Sequence, residues 1–283
     1  MNTTKVIYIP QGSIAQIISH LSKQNFNLSP SVDKYILFFM GQPQSGWIDI
    51  GETRLSRGDF LKKITTSKAA MNSITLIPGE TIDVFLYQIS QEYQLSYEKL
   101  MKYYLEYSPI RDGLIVPETY HIPKGIGERH LIHYLVNYAL KQHKKTSMKI
   151  FGKFDKKNWF RYLIIASIIE KEAGSKKEMP LVSSVIYNRL KKGMKLQMDG
   201  TLNYGKYSRI KVTPNRINED MSRYNTYKYK GLPPHPVSSA SNEAILAAIF
   251  PKKTNYLYFV RTQKGKHTFS ETYKEHLRNI KRN

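Results

Sequence analysis

Asn158-Trp159-Phe160-Arg161-Tyr162-Leu163-Ile164-Ile165-Ala166-Ser167-Ile168-Ile169-Glu170-Lys171-Glu172-Ala173-Gly174 is apolar nearly all round until its last turn. A helix with no clearly polar face is a buried one, so this segment predicts the central helix of a folded domain. Asp155 or Asn158 is placed to cap its start. Gly174 suits the left-handed position that often follows a helix end. A second helix is predicted from Pro180 through Val182, Val185, Ile186 and Leu190, with Arg189, Lys191 and Lys192 in its last turn and Gly193 after it. Beyond Gly193 the chain turns to short segments rich in Tyr, Asn, Pro and Gly. An amphipathic piece over Asn242–Ile249 and a strand-like run over Tyr256–Val260 follow.

Upstream, a strand–turn–helix plan recurs weakly. Val6–Ile9, a Pro10-Gln11-Gly12 turn and Ser13 precede Ile14, Ile17, Ile18 and Leu21 at helical spacing. Thr75-Leu76-Ile77-Pro78-Gly79-Glu80-Thr81 leads likewise into Ile82, Phe85, Leu86 and Ile89. Ile48–Thr53 leading to Phe60, Leu61 and Ile64 is a third echo. Lys141, Lys144, Lys145, Lys149, Lys153, Lys156 and Lys157, interrupted by Gly152, read as a solvated connector or an exposed helix face. Placing the boundary there gives an N-terminal region over 1–145 and a second domain over 146–283, α+β as a whole.

The 283 residues, 41% hydrophobic, are enough for a sizeable core. With 44 Lys+Arg against 22 Asp+Glu, the net charge is +22, which favours polyanionic partners: nucleic acid, anionic lipid or acidic wall polymers. The absence of cysteine excludes disulfides, zinc-thiolate sites and cysteine nucleophiles. No apolar run approaches the ~20 residues of a membrane span. There is no phosphate loop, dinucleotide fingerprint or metal-ligand spacing, and no recognised nucleic-acid motif. Ser238, Ser239 and Ser241 lie near His235 without a nucleophile elbow around them.

The remaining chemistry is acidic. A carboxyl after Ile168-Ile169 meets desolvation, which favours the neutral acid needed to protonate a glycosidic oxygen. Glu170 lies on the Phe160–Leu163–Ser167 stripe and Glu172 on the Ile165–Ile168–Ile169 stripe, so periodicity does not choose between them. Gln197, Asp199, Thr201 and Tyr204, then Tyr224, Asn225, Thr226 and Tyr227, then His267 and Phe269, bring amide, hydroxyl and aromatic groups suited to a carbohydrate cleft. Tyr-rich turns that simply pack are the plain alternative.

These motifs, in this order, resemble the endolytic murein transglycosylases, the MltG or YceG-like family. Ala166–Glu172 is similar to its A-S-I-[IV]-E-K-E. Asn188-Arg189-Leu190 with Gly193–Thr201 is similar to N-R-L…G-M-x-L-Q-x-D-x-T. Tyr224–Tyr227, Gly231–Pro234, Tyr256–Val260, His267–Phe269 and Pro117–Tyr120 match further segments. Gly200 stands where the pattern usually has Pro, and His235–Ser239 departs from its usual wording. The resemblance implies that Glu170 is the catalytic acid/base, with no metal and no cofactor, and it adds Asn188 and Ser238 to the substrate-binding candidates. It implies cleavage between N-acetylmuramic acid and N-acetylglucosamine by a nonhydrolytic route. The sugar's own 6-hydroxyl captures the cationic centre and leaves a 1,6-anhydro end, so no second carboxylate is needed to activate water. Asp199 then falls to structure or substrate binding. The resemblance further implies a small LysM-like module before the catalytic domain and peptidoglycan as substrate. It also implies cell-wall elongation synthases as partners, and a single-pass inner-membrane location through an N-terminal anchor absent from this chain, with the catalytic domain facing the periplasm or outside. A noncatalytic peptidoglycan-binding protein is the alternative.

Overall fold

The computed structural model describes residues 2–24, 26–262 and 265–282. It divides into two compact units, Met1–Ile74 with Tyr120–Gly127, and Thr75–Thr119 with Glu128–Asn283.

The first unit runs β1 (Val6–Ile9), α1 (Ile14–Lys23), α2 (Asp33–Met40), β2 (Gly46–Asp49), α3 (Arg57–Thr66) and most of β3 (Met71–Thr75) and β4 (Thr119–Pro123). β1 and β2 pair antiparallel, Val6 opposite Asp49 and Ile9 opposite Gly46. The recurrent plan seen in the sequence has a local cause. Ser13 caps α1 by accepting the Gln16 N–H, and the Gln16 side chain returns to the Ser13 N–H, a capping box. Ser56 caps α3 through the Asp59 N–H, so the third echo starts its helix later than Thr53 suggested. Ile9, Ile17, Ile18, Leu21, Leu37, Ile48, Phe60 and Ile64 form the core of this unit. Asp33, fully buried, is held by the Arg57 guanidinium at 2.6 Å.

The second unit is mainly helical: α4 (Ile82–Tyr93), α5 (Tyr97–Tyr107), α6 (Glu128–Phe151), α7 (Lys156–Glu172), α8 (Met179–Lys191), α9 (Pro214–Glu219), α10 (Asn242–Ile249) and α11 (Tyr273–Lys281), with the hairpin β5 (Tyr258–Arg261) and β6 (His267–Ser270). The mixture of helices and small two-stranded sheets is the α+β class expected. α7 is the central helix: Trp159, Leu163, Ile165, Ala166, Ile168 and Ile169 are all buried, each large side chain contributing roughly 1.5–3 kcal/mol of hydrophobic stabilisation. It packs against α8 and α10. Asp155 caps it by accepting the Asn158 N–H. Its Ser167 hydroxyl accepts the Val237 N–H at 3.0 Å, pinning the 236–241 segment to the helix.

Three expectations change. Of the two readings of the lysine-rich stretch, the exposed helix face holds for Lys141–Lys149, which lies inside the 24-residue α6, and Gly152, at φ +68°, follows that helix. The compact units therefore part at 74/75 and around 120–127, away from the lysine-rich stretch. Gly174 is not left-handed. Its missing Cβ serves close packing, since a Cβ there would lie 2.8 Å from the Gly265 carbonyl oxygen. The single-pass membrane location is not supported: among the described residues no helix is long and apolar enough to cross a membrane. α6 has the length, but its lysines and histidines make it too polar.

Candidate active site

The last turn of α7 presents Glu170, Lys171 and Glu172 to different neighbours. Helical residues two apart point ~200° away from each other. Glu170 turns to the start of α10, where its Oε2 accepts the Ser241 N–H at 2.9 Å and the Ser241 hydroxyl at 2.6 Å. Ser241 is also the cap of that helix, accepting the Ala244 N–H. Gly79 passes close by, its notional Cβ 3.8 Å from Glu170 Cγ. Lys171, half-buried, donates to the Ser208 hydroxyl at 3.0 Å, and desolvation lowers its pKa.

Glu172 faces a cavity of about 760 Å³ that is also lined by Arg189, Gln197, Asp199, Tyr227 and His267. That volume suits a ligand of several rings. Glu172 Oε1 accepts the Gly200 N–H at 2.6 Å. Burial pushes the Glu172 carboxyl up to about 7; the Gly200 N–H works against this and the charge of Asp199 adds to it. Tyr227 donates its hydroxyl to Asp199 Oδ1 at 2.6 Å. Burial, then this hydrogen bond, drive the Tyr227 phenol upward, so it stays a donor.

Buried polar groups shape that wall. Arg189 donates from Nε to the Leu257 carbonyl at 2.6 Å and from Nη1 to the Leu196 carbonyl at 2.7 Å, tying the 195–197 segment to the approach to β5. Gln197 takes φ +51°, an uncommon value for a residue with a Cβ, of the kind that clusters at functional sites. The Thr226 hydroxyl accepts the Met198 N–H at 3.1 Å and meets the Thr201 hydroxyl at 3.0 Å. Asn225 donates to the Ile217 and Asp220 carbonyls, both at 2.8 Å, and accepts the Tyr227 N–H.

The sequence candidates therefore separate. Gln197, Asp199, Tyr227 and His267 line the cavity. Thr201, Asn225, Thr226 and Ser238 are buried and bond within the protein. Asn188 is turned away: its amide donates to the Thr254 and Tyr256 carbonyls at 2.8 and 2.9 Å. Phe269 sits opposite Phe259 in the β5–β6 hairpin and packs on Tyr256. Tyr204 and Tyr224 stack face to face, centroids 4.3 Å apart, beside a second cavity of about 450 Å³ that is also lined by Arg111, Asp112 and His235. Glu170 lines neither cavity. Of the two glutamates, Glu172 is the one that lines the first cavity, and Arg189 is a member of its wall that residue type alone did not mark.

The YceG-like family pattern matches residues 7–282 of this sequence. The chain belongs to the YceG-like family. It is 44% identical over 118 residues to an endolytic murein transglycosylase of Bacillus subtilis, covering 41% of this chain and 32% of that protein. It is 31% identical over 221 residues to one of Streptococcus pneumoniae, covering 71% of this chain and 39% of that protein. This member of the family thus matches about a third to two fifths of the length of those curated relatives. A crystal structure of a YceG-like protein from Listeria monocytogenes has the same fold, with a TM-score of 0.63 at 24% identity, over 96% of this chain and 97% of that one.

Proposed function

We propose that this protein is an endolytic lytic transglycosylase of peptidoglycan, acting on the bond between N-acetylmuramic acid and N-acetylglucosamine and leaving 1,6-anhydro ends. The observation that carries this reading is a carboxyl on the wall of a ligand-sized cavity, pushed up to about 7 by burial. The names of the relatives supply the substrate class. On this observation we assign the acid to Glu172, two residues along from the Glu170 that the family resemblance implies, and the exchange of each for glutamine tests the choice. Glu170 has its Oε2 occupied by Ser241 and lines neither of the two cavities described above.

In the proposed reaction protonated Glu172 gives its proton to the glycosidic oxygen as the bond from the muramic acid C1 breaks. The leaving N-acetylglucosamine departs with a 4-hydroxyl. The muramic acid 6-hydroxyl then bonds to C1, and its proton returns to Glu172, which ends as it began. Nothing in this cycle needs an activated water. Asp199, hydrogen-bonded by Tyr227, acts by keeping Glu172 protonated and by holding sugar hydroxyls. Gln197, Tyr227 and His267 are assigned to sugar binding, and Thr201, Asn225 and Thr226 to shaping the loops that carry them.

The catalytic portion lies within 146–283, since every residue assigned to the cavity falls there. The strand–helix–helix–strand order from β1 to β2 supports a LysM-like, wall-binding role for the first unit. Elongation synthases are the partner class implied by family resemblance. Mass spectrometry of peptidoglycan digested by the protein tests the central claim. Anhydromuramoyl ends are expected, and reducing muramic acid ends alone would make the protein a hydrolase, with Asp199 as the water-activating partner.

A further inference from the structure

His267 is held by one carboxylate at two of its own atoms. Glu178, at the start of α8, accepts the His267 backbone N–H on Oε1 at 2.9 Å and the ring Nδ1 on Oε2 at 2.8 Å. The Gly174 N–H adds a third bond to Oε2 at 3.1 Å. Burial opposes a charge on Glu178, but the His267 ring, the His267 N–H and the Gly174 N–H outweigh it and hold the carboxyl below the usual range. Glu178 is therefore an acceptor only. A neutral His267 must then carry its proton on Nδ1 and keep a lone pair on Nε2. The ring cannot easily turn, because Phe259 packs edge-on against it at 5.3 Å and the side chain is only 9% exposed.

Nε2 makes no hydrogen bond among the described residues and is not among the buried atoms left without a partner, so it is open. His267 lines the same cavity as Glu172 and Asp199. That wall also offers cations, carboxyl groups, the Gln197 amide, the His276 imidazole and the phenols of Tyr227, Tyr258 and Tyr273, the first of which already donates to Asp199. A neutral acceptor of fixed direction has a distinct use there: it takes a hydrogen bond from a sugar hydroxyl without drawing its proton fully away.

We infer that Glu178 is a positioning residue: through Nδ1 it fixes the His267 tautomer, so that Nε2 accepts a hydrogen bond from a hydroxyl of a glycan lying beside Glu172. This rests on the glycan-cleaving reading above. Neither residue type nor spacing pointed to Glu178, which is nearly 90 residues from His267 in the chain.

The test uses the intact chain with 15N-labelled histidine, at a pH where the imidazole is neutral. Wild-type His267 should show a protonated Nδ1 and an unprotonated Nε2. In Glu178→Gln, whose one oxygen can keep the His267 backbone donor while its amide NH2 meets Nδ1, a substantial share should move to the Nε2–H form. An N-acetylglucosamine tetrasaccharide should shift the wild-type Nε2 resonance, and its Kd should rise roughly 3- to 10-fold in Glu178→Gln, the size of one neutral hydrogen bond. If Glu178→Gln does not fold, His267→Ala gives the same binding comparison. A wild-type ring protonated on Nε2 overturns the inference, and so does a tetrasaccharide affinity unchanged in the folded variants. Sacculus digestion by the same wild-type sample keeps the two readings apart. Anhydro products with an unmoved Nε2 overturn this inference alone. An Nε2 shift without anhydro products supports the contact while overturning the reaction.

Discussion

Glu170 and Glu172, two residues apart on α7, have their carboxylates held by different parts of the chain: Ser241 at the start of α10 holds the first, and the Gly200 N–H holds the second. Only the second faces the large cavity. Exchanging each for glutamine separates them. Glu172→Gln removes the donor and should cut turnover by about 10²–10⁴-fold, with folding retained because the amide oxygen still accepts the Gly200 N–H. Glu170→Gln keeps an acceptor for both Ser241 donors and should leave measurable turnover. Initial rates of anhydro product release decide the matter. A dead, folded Glu170→Gln beside an active Glu172→Gln would return the acid role to Glu170.

The pH profile follows from the same environment. In the proposed reaction Glu172 must be protonated to act, and its carboxyl is pushed up to about 7 by burial and by Asp199. kcat/KM should be flat on the acid side of this limb and fall about tenfold per pH unit above it. Asp199→Asn keeps an acceptor for the Tyr227 hydroxyl but removes the charge, so the limb should move to lower pH. A limb that stays in place would mean that Asp199 does not act on the titrating acid.

Much of this architecture is written locally and so was legible. α7 announces itself through Leu163–Ile169 and Asp155, and α10 has the bounds its amphipathic pattern predicts, because apolar periodicity and helix caps are short-range signals. What escaped was set by distant chain. Gly174 was read as a left-handed stop, whereas its role comes from Gly265 and Glu178 crowding it. Asn188 is a substrate-binding candidate by family resemblance, yet two carbonyls nearly 70 residues away take its amide. Helical periodicity could not choose between Glu170 and Glu172, because the difference lies in Ser241 and Gly200, which arrive from elsewhere.

Gly200 is the next residue to test. It stands where proline is usual in the family pattern, and it contributes an N–H that proline lacks. A Cβ at this position would lie 2.5 Å from Lys171 Cβ and 2.9 Å from Glu172 Oε1, too close to the helix body to be absorbed by a flexible tip. Gly200→Ala must therefore push the 199–202 segment away from α7 and stretch the 2.6 Å bond to Glu172. A displacement near 1 Å at a reacting group costs on the order of 10²-fold in rate. The expected result is a large loss of kcat with a modest drop in Tm, read by steady-state kinetics and thermal melting. Wild-type rates in Gly200→Ala would show that the close approach has no part in catalysis.

Asp112 gives a prediction about stability. It is buried beside the second cavity, where its Oδ1 accepts the Gly113 N–H at 2.6 Å and the Ile82 N–H at 3.1 Å. Burial pushes its carboxyl up to about 7; the two N–H groups and Lys171 pull it down, and Asp83 adds to the rise. The folded state thus holds this proton more tightly than the unfolded chain does. The resulting stability is fully present below the unfolded value near 4, and it is lost progressively as pH rises through about 7. Asparagine cannot ionise, and its single carbonyl oxygen can serve both N–H donors. The stability of Asp112→Asn relative to wild type should therefore grow with pH between about 4 and 7 and level off above that, by an amount on the order of a few kcal/mol. Taking the difference between the two proteins cancels the histidines and other carboxyls that titrate in both. Urea unfolding at pH 4.5 and pH 8 measures it. A difference that does not change between those two conditions would falsify the reading of Asp112 as a carboxyl kept neutral by burial.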